Sequence, residues 1–179
     1  MGYAVAHVKR AAGRGAVTRA ASGGANAISL PGEPTIADAG VIRLKASAPL
    51  ESRLATLYRE ITELVSEAQP DLVVVEQVFV HAKHARTAIV MGHARGVVLL
   101  VAAQQGVPVG ELSPAEVKKS LTGNGRATKR QVQVAVKSQC RLATLPEPPD
   151  VADAIAIALC GARRGGVVRR TLLQRGKGR

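Results

Sequence analysis

The segment LVVVE, residues 72–76, consists of four consecutive apolar residues followed by an acid. An unbroken apolar run is typical of a strand that helices cover on both faces, because neither face then needs polar side chains. Upstream residues 50–65 place apolar side chains at the helical period, and downstream residues 85–104, ended by Gly106, are also predicted to form a long helix. A buried strand between two such helices predicts an α/β fold.

Further strands and helices can be placed on both sides of this segment. Short β-like runs cover residues 2–8, 40–44 and 107–112. Polar caps mark the starts of three more helices. These caps are the capping box of Ser113 with Glu116, the capping box of Thr128 with Gln131, and Asp150 as the N-cap of a last helix that ends near residue 162.

The chain is predicted to form one domain over residues 1–162. Within it, residues 9–39 are rich in Gly, Ala, Ser and Pro without periodicity, which is typical of a low-complexity insertion. Residues 163–179 contain seven Arg or Lys and no acid, which predicts a basic, flexible tail. Such a tail can grip DNA, or it can remain solvated without a defined partner.

The composition favours a cytoplasmic protein that binds nucleic acid. The formal net charge of +12 suits a polyanionic partner. Cys140 and Cys160 form neither a CxxC pair nor a disulfide framework, as expected in a reducing compartment. The start of the chain lacks a signal-peptide pattern. The longest apolar stretch of the whole chain, residues 94–103, is shorter than the roughly 20 residues that span a membrane, so no membrane partner is predicted.

Three acids stand out in this basic chain. Glu76 ends the buried strand, and Asp150 and Asp153 lie one helical turn apart. Carboxylates are the preferred ligands of hard divalent cations, so the three acids favour metal-dependent chemistry on nucleic acid. Each acid also has a simpler interpretation: an aspartate at a helix start satisfies free N–H groups and the helix dipole, and a glutamate at a strand end can face solvent.

Four ordered segments carry a resemblance to a known family. They are DLVVVEQVF (71–79), MGHARGVVLLVAA (91–103), SPAEVKKSLTGNGRATKRQVQ (113–133) and PDVADAIAIAL (149–159). With these segments, residues 40–160 resemble RuvC, the bacterial Holliday junction resolvase. The resemblance implies a ribonuclease H-like mixed sheet flanked by helices, a homodimer, and an endodeoxyribonuclease that nicks four-way DNA junctions symmetrically. It also implies two Mg²⁺ ions per active site, for which Mn²⁺ can substitute, and the branch-migration proteins RuvA and RuvB as partners.

The same resemblance assigns roles to individual residues. Acids at Glu76, Asp150 and Asp153 are expected to hold the metal ions. Further residues are expected at the DNA: Lys118 and Lys129 as catalytic lysines near the scissile phosphate, Phe79 for stacking on an unpaired base, and Lys83, Arg86 and Arg126 as basic contacts. From spacing alone, the two lysines can equally be solvated side chains on capped helices. A transition-metal site at His81, His84 and His93 is disfavoured, since no acid or cysteine cluster completes it.

The start of the chain departs from the family pattern. Members begin with a strand that carries Ile-Asp-Pro-Gly shortly before a Gly-Tyr pair, whereas here Gly2 and Tyr3 follow Met1 directly. The central first strand and its catalytic aspartate are therefore expected to be missing, and a start codon further upstream is the simplest explanation. A junction resolvase impaired by this loss is the leading hypothesis. The alternative is a non-catalytic basic protein that binds junctions or other DNA.

Overall fold

The computed structural model describes residues 1–8, 34–78 and 85–175. Most of the predicted insertion and two predicted DNA contacts, Phe79 and Lys83, lie outside these ranges. The described residues form four strands and five helices, in the order β1 (Gly2–Val8), β2 (Pro34–Val41), α1 (Leu50–Ala68), β3 (Val73–Glu76), α2 (Ala85–Gln104), β4 (Val109–Leu112), α3 (Pro114–Thr122), α4 (Lys129–Gln139) and α5 (Pro149–Arg175).

The strands form two hydrogen-bonded pairs. β1 runs antiparallel to β2, with Gly2 opposite Val41, and β3 runs parallel to β4, with Glu76 opposite Leu112. The crossover between β3 and β4 contains α2, as parallel neighbours require. The predicted α/β class is thus confirmed. Within the described residues no backbone ladder joins the two pairs, and the absence of the family's first strand stays a prediction.

Helices cover both faces of the strand pairs. Val74 of β3 packs into the core formed by α3, α4 and α5, whereas Val73 and Val75 pack into the core formed by α1 and α2. β1 divides its side chains in the same way, with Ala4 in the first core and Tyr3 in the second. Because successive residues of a strand point to opposite faces, both pairs lie between the same two helical layers. This double cover explains why the LVVVE segment has no polar alternation.

The predicted positions of α1 and α2 are confirmed. α1 buries Leu57, Ile61 and Val65, which recur at helical spacing, against α2. α2 spans exactly the predicted range, and Gly106 follows it with a φ of 68°, the left-handed conformation that commonly terminates helices.

Both predicted capping boxes are also present. The Ser113 hydroxyl accepts a hydrogen bond from the Glu116 amide at 3.3 Å, and the Glu116 carboxylate accepts one from the Ser113 amide at 2.8 Å. Thr128 and Gln131 form the same reciprocal pair at the start of α4. The hydrogen bonds from Ser113, assisted by Arg164, lower the pKa of Glu116 to about 2. These bonds fix where α3 and α4 begin, and with them the positions of Lys118 and Lys129.

The predicted second strand is wrong in position. We predicted it over residues 40–44, but β2 spans Pro34–Val41 and therefore includes the end of the predicted insertion, residues 34–39. These residues have weak strand propensity, and no local pattern among them predicts a strand. Hydrogen bonds to β1 override that propensity, with a register irregularity between Val5 and Ala6.

The last helix differs from the prediction at both ends. It begins at Pro149, so Asp150 lies in the first turn of α5 instead of serving as its N-cap. It extends to Arg175, whereas the sequence predicted an end near residue 162 and a flexible tail from residue 163. Tertiary contacts with α3 support the helix just beyond residue 162: Arg164 binds Glu116 at 2.8 Å, and Arg163 donates to the Ser120 carbonyl at 3.2 Å.

α2 is strongly apolar at its surface. Its segment Arg86–Gln104 has a mean hydropathy of 1.4 and is long and apolar enough to cross a membrane by length and composition alone, which residues 94–103 by themselves are not. Only 17% of this segment is buried in the structure. Ile89 and Leu100 are 60% and 50% exposed. α2 therefore presents an apolar face that the described part of the chain does not cover.

Candidate active site

Glu76 lies at the carboxyl end of the parallel pair β3 and β4. The ladder places it opposite Leu112, and the following amide, that of Gln77, donates to the Leu112 carbonyl at 2.9 Å. In open α/β folds, ligands bind at the carboxyl ends of parallel strands, where loops and helix starts surround a crevice. Glu76 is thus held by backbone hydrogen bonds in a position suited to a functional site.

Asp153 approaches this site from α5. Its carboxylate forms an ion pair with the Lys129 ammonium at the start of α4, with an N–O distance of 3.1 Å. The two side chains are 45% and 60% exposed, so the pair is weak and can open. Lys129 is therefore available both to neutralise Asp153 and to contact an incoming anion.

The electrostatics of Glu76 connect it to Asp153 and Lys118. Desolvation raises the pKa of the Glu76 carboxyl, repulsion from Asp153 raises it further, and attraction to Lys118 opposes both effects. Two acids close enough to repel each other disfavour their joint ionisation, and a bound cation relieves that repulsion. Glu76 and Asp153 are hard oxygen donors, so they fit a divalent cation such as Mg²⁺, which proteins commonly bind through one or two carboxylates.

The predicted convergence of three acids is only partly present. Asp150 lies one turn before Asp153 and is exposed. Among the described residues, no group of three His, Cys, Asp or Glu side chains is close enough to hold a metal ion. The structure thus pairs Asp153 with Lys129 and places Glu76 within electrostatic range of Asp153 and Lys118, and it leaves Asp150 at the margin of this cluster. The i, i+3 spacing places two acids on one helix face, but it does not aim both at the same point.

Two of the other predicted DNA contacts lie on the described surface. Arg126 lies exposed in the turn between α3 and α4, where its amide donates to the Asn124 side-chain carbonyl at 2.9 Å. Arg86 is exposed in the first turn of α2. Their roles, like those of Phe79 and Lys83 outside the described residues, stay predictions.

Sequence reasoning missed the pairing of Lys129 with Asp153. The two residues lie 24 positions apart on different helices, and the capping signals place each of them only within its own helix. Nothing in the local pattern indicates that α4 and α5 start side by side. The family resemblance assigned Lys129 to the DNA without indicating that it also binds an acid of the site.

The strands, the two helical layers and the strand-end acid define an α/β protein of the ribonuclease H-like class. A family model described as "Crossover junction endodeoxyribonuclease RuvC" matches residues 9–161. The chain belongs to this family, whose members are crossover junction endodeoxyribonucleases.

Individual relatives agree with this membership. The crossover junction endodeoxyribonuclease RuvC of Rhodopirellula baltica is 52% identical over 124 residues, which cover 69% of this chain and 70% of the relative. That of Gloeobacter violaceus is 49% identical over 128 residues, which cover 72% and 73%. The Thermus thermophilus RuvC structure is 28% identical, with a TM-score of 0.70 over 93% of this chain and 89% of that chain. T. thermophilus RuvC in complex with a Holliday junction substrate, also 28% identical, has a TM-score of 0.67 over 75% and 82%.

Replacing Glu76 by glutamine should stabilise the metal-free protein at neutral pH. The folded-state pKa of Glu76 lies above its ordinary value of 4.5, so ionisation of Glu76 costs stability as the pH rises through that folded-state pKa. Glu76→Gln should raise the unfolding temperature at pH 7, and the gain should disappear below pH 4.5, where the carboxyl is protonated in both states. Thermal unfolding in EDTA measures this, with Glu63→Gln on the exposed face of α1 as the matched control. An equal gain in both variants, or a gain that persists in acid, would contradict the electrostatic account.

Proposed function

We propose that the chain resolves four-way DNA junctions by paired, symmetric nicks, as an endonuclease of recombination and repair. The convergence of Glu76 and Asp153 with Lys118 and Lys129 at the end of β3 supports this most strongly. The relative that was solved with a Holliday junction substrate supports a four-way junction as the substrate. A formal charge of +12 gives the chain the long-range attraction that binding of a polyanion needs.

The metal in this proposal is Mg²⁺, with two ions per active site and Mn²⁺ as a substitute. Glu76 and Asp153 would hold the metal, and Asp150 would add a carboxylate from the preceding turn of α5. When bound, such ions activate a water molecule and stabilise the leaving oxygen of a phosphodiester. The two acids supply few ligands by themselves, which suits Mg²⁺ because it retains waters and accepts oxygens from its substrate.

The two lysines act on the phosphate in this proposal. Lys118 is partly buried on α3 and already interacts with Glu76, so its ammonium is held close to the reacting group. It would stabilise negative charge that develops on the phosphate. Lys129 is exposed, so it can turn from Asp153 to a phosphate oxygen and position the strand.

Variants of this site should lose cleavage of the four-way junction while they keep their affinity for it. Glu76→Gln should abolish nicking of a synthetic four-way junction in Mn²⁺, while junction affinity in EDTA stays within about twofold, because binding depends mainly on phosphate contacts. Lys118→Met should slow nicking by on the order of 100-fold. Single-turnover cleavage and gel-shift titrations measure both, with Glu63→Gln as the control.

Retained nicking in Glu76→Gln would remove Glu76 from the site. Tight junction binding without any nicking by the unaltered chain would instead favour the non-catalytic alternative.

We infer that these 179 residues by themselves nick slowly. The family resemblance implies a fourth carboxylate on a strand that precedes Gly2, and among the described residues no third acid, His or Cys joins Glu76 and Asp153 in its place. Asp38 lies exposed in β2, Glu51 lies exposed in the first turn of α1, and Glu33 is outside the described residues.

A chain extended at its start by a strand that carries Ile-Asp-Pro-Gly should therefore nick junctions about 100-fold faster or more. The same extension with Asn in place of Asp should restore the folding stability but not the faster nicking rate. Single-turnover rates on one junction compare the three proteins. Rapid paired nicking by the 179-residue chain, with no gain from the Asp extension, would show that a fourth carboxylate is unnecessary.

We further propose that the chain acts as a cytoplasmic homodimer, with RuvA and RuvB as partners by family resemblance. The exposed apolar face of α2 supports the dimer. Ile89 and Leu100 flank Gly92 and Gly96 along this face, and a Cβ atom at either glycine would meet open space. Two copies of such a face can approach closely, and burying it removes apolar surface from water.

Leu100→Glu should convert a dimer to a monomer. A charge at the centre of this face would be costly to bury in a dimer interface. Sedimentation velocity at micromolar concentration measures the change, and Val134→Glu, at an exposed apolar position on α4, is the matched control. A monomeric unaltered chain, or one that binds to phosphatidylcholine vesicles through α2, would contradict this use of the face.

A further inference from the structure

We infer that Gly2 and Gly161 are positioning residues that set where helix α5 holds Asp150 and Asp153 relative to Glu76. The inference rests on the proposed function, in which these acids bind a divalent cation. The two glycines lie outside the acidic cluster, and we infer that they determine the distances between its acids.

The first contact lies at the start of β1. A Cβ atom on Gly2 would lie 2.2 Å from the Asp150 carbonyl oxygen and 2.7 Å from the Asp150 carbonyl carbon. Both are backbone atoms in the first turn of α5, so they cannot rotate away as a side chain could. Any side chain at residue 2 would therefore displace the helix turn that carries Asp150, or displace the strand, by about 1 Å.

The second contact lies farther along α5. A Cβ atom on Gly161 would lie 2.6 Å from Cγ2 of Val74, which precedes Glu76 by two residues on β3. Gly161 is buried. This contact therefore sets the distance between α5 and the strand whose end carries Glu76.

The two contacts act on one side of the same helix. Asp150 and Gly161 are 11 residues apart, which is about three turns and about 16 Å, and returns to nearly the same helix face. Helix α5 thus contacts β1 at its first turn and β3 three turns later. A methyl group at either point would tilt α5 and change the separation of Asp153 and Glu76, which belong to different layers of the fold.

The size of that change matters for a metal site. Functional groups in such sites must be held within about 0.5 Å of their productive geometry, and a displacement of about 1 Å can cost on the order of 100-fold in activity. By contrast, a Cβ atom on Gly110 of β4 would lie 3.6 Å from a Leu72 methyl carbon, an ordinary contact. Gly110 therefore provides a matched control.

The test measures Mn²⁺ binding to the full chain without DNA, by the loss of the free-ion paramagnetic resonance signal. Gly2→Ala and Gly161→Ala should each weaken Mn²⁺ binding by about 10-fold, while Gly110→Ala leaves it unchanged. Junction affinity in EDTA should stay within about twofold in all three variants. Adding Val74→Ala to Gly161→Ala removes the atom that the new methyl would meet, so it should restore most of the Mn²⁺ affinity.

Thermal unfolding separates positioning from loss of folding. If Gly161→Ala fails to fold, Val74→Ile, which enlarges the same contact from the strand side, takes its place and should also weaken Mn²⁺ binding. Unchanged Mn²⁺ affinity in the folded variants, or a loss that Val74→Ala does not restore, would overturn the positioning role. Mn²⁺ binding that Glu76→Gln leaves unaltered would instead overturn the proposed metal site, so the two failures are distinguishable.

Discussion

The packing of helix α5 across both strand pairs is the constraint on which the rest of the structure depends. α5 contacts all four strands and also α3 and α4. Its apolar side, with Ile155, Ala156 and Leu159, forms the centre of one hydrophobic core, and its first turns carry the two aspartates. Because no ladder joins the two pairs within the described residues, α5 relates them on one face, as the α1–α2 layer does on the other. The arrangement of the acids is consequently a result of helix packing.

Electrostatic compensation follows from this packing. Desolvation raises the pKa of Glu76, and repulsion from the Asp153 carboxylate, which helix packing brings towards it, raises that pKa further. Lys118 and Lys129 supply the opposing charge from α3 and α4, two helices whose starts are fixed by capping boxes. The exposed Lys129–Asp153 ion pair can open at little cost. The proposed metal would then take the place of Lys129 beside Asp153, and a DNA phosphate would take the place of Asp153 beside Lys129.

Much of this architecture could be predicted from the sequence, because local signals determine it. The apolar run of β3, the helical period of α1, the glycine that follows α2 and the two capping boxes all appear where short-range patterns placed them. The positions of these elements relative to one another are harder to predict. β2 depends on a partner strand, α5 contacts Glu116 and Ser120 just beyond residue 162, and Lys129 meets Asp153 only after α4 and α5 have packed. The roles of the three acids stay predictions, and the marginal place of Asp150 depends on helix orientation, which spacing alone does not fix.

The central claim is that Glu76 and Asp153 together hold a divalent cation at the carboxyl end of β3. A crystal structure of the chain grown with Mn²⁺, with anomalous scattering data collected at the manganese absorption edge, tests it directly. We expect an anomalous peak in contact with carboxylate oxygens of both Glu76 and Asp153, with the Lys129 ammonium displaced from Asp153. A peak that contacts neither acid, or no peak beside an unbroken Lys129–Asp153 ion pair at saturating Mn²⁺, would contradict it.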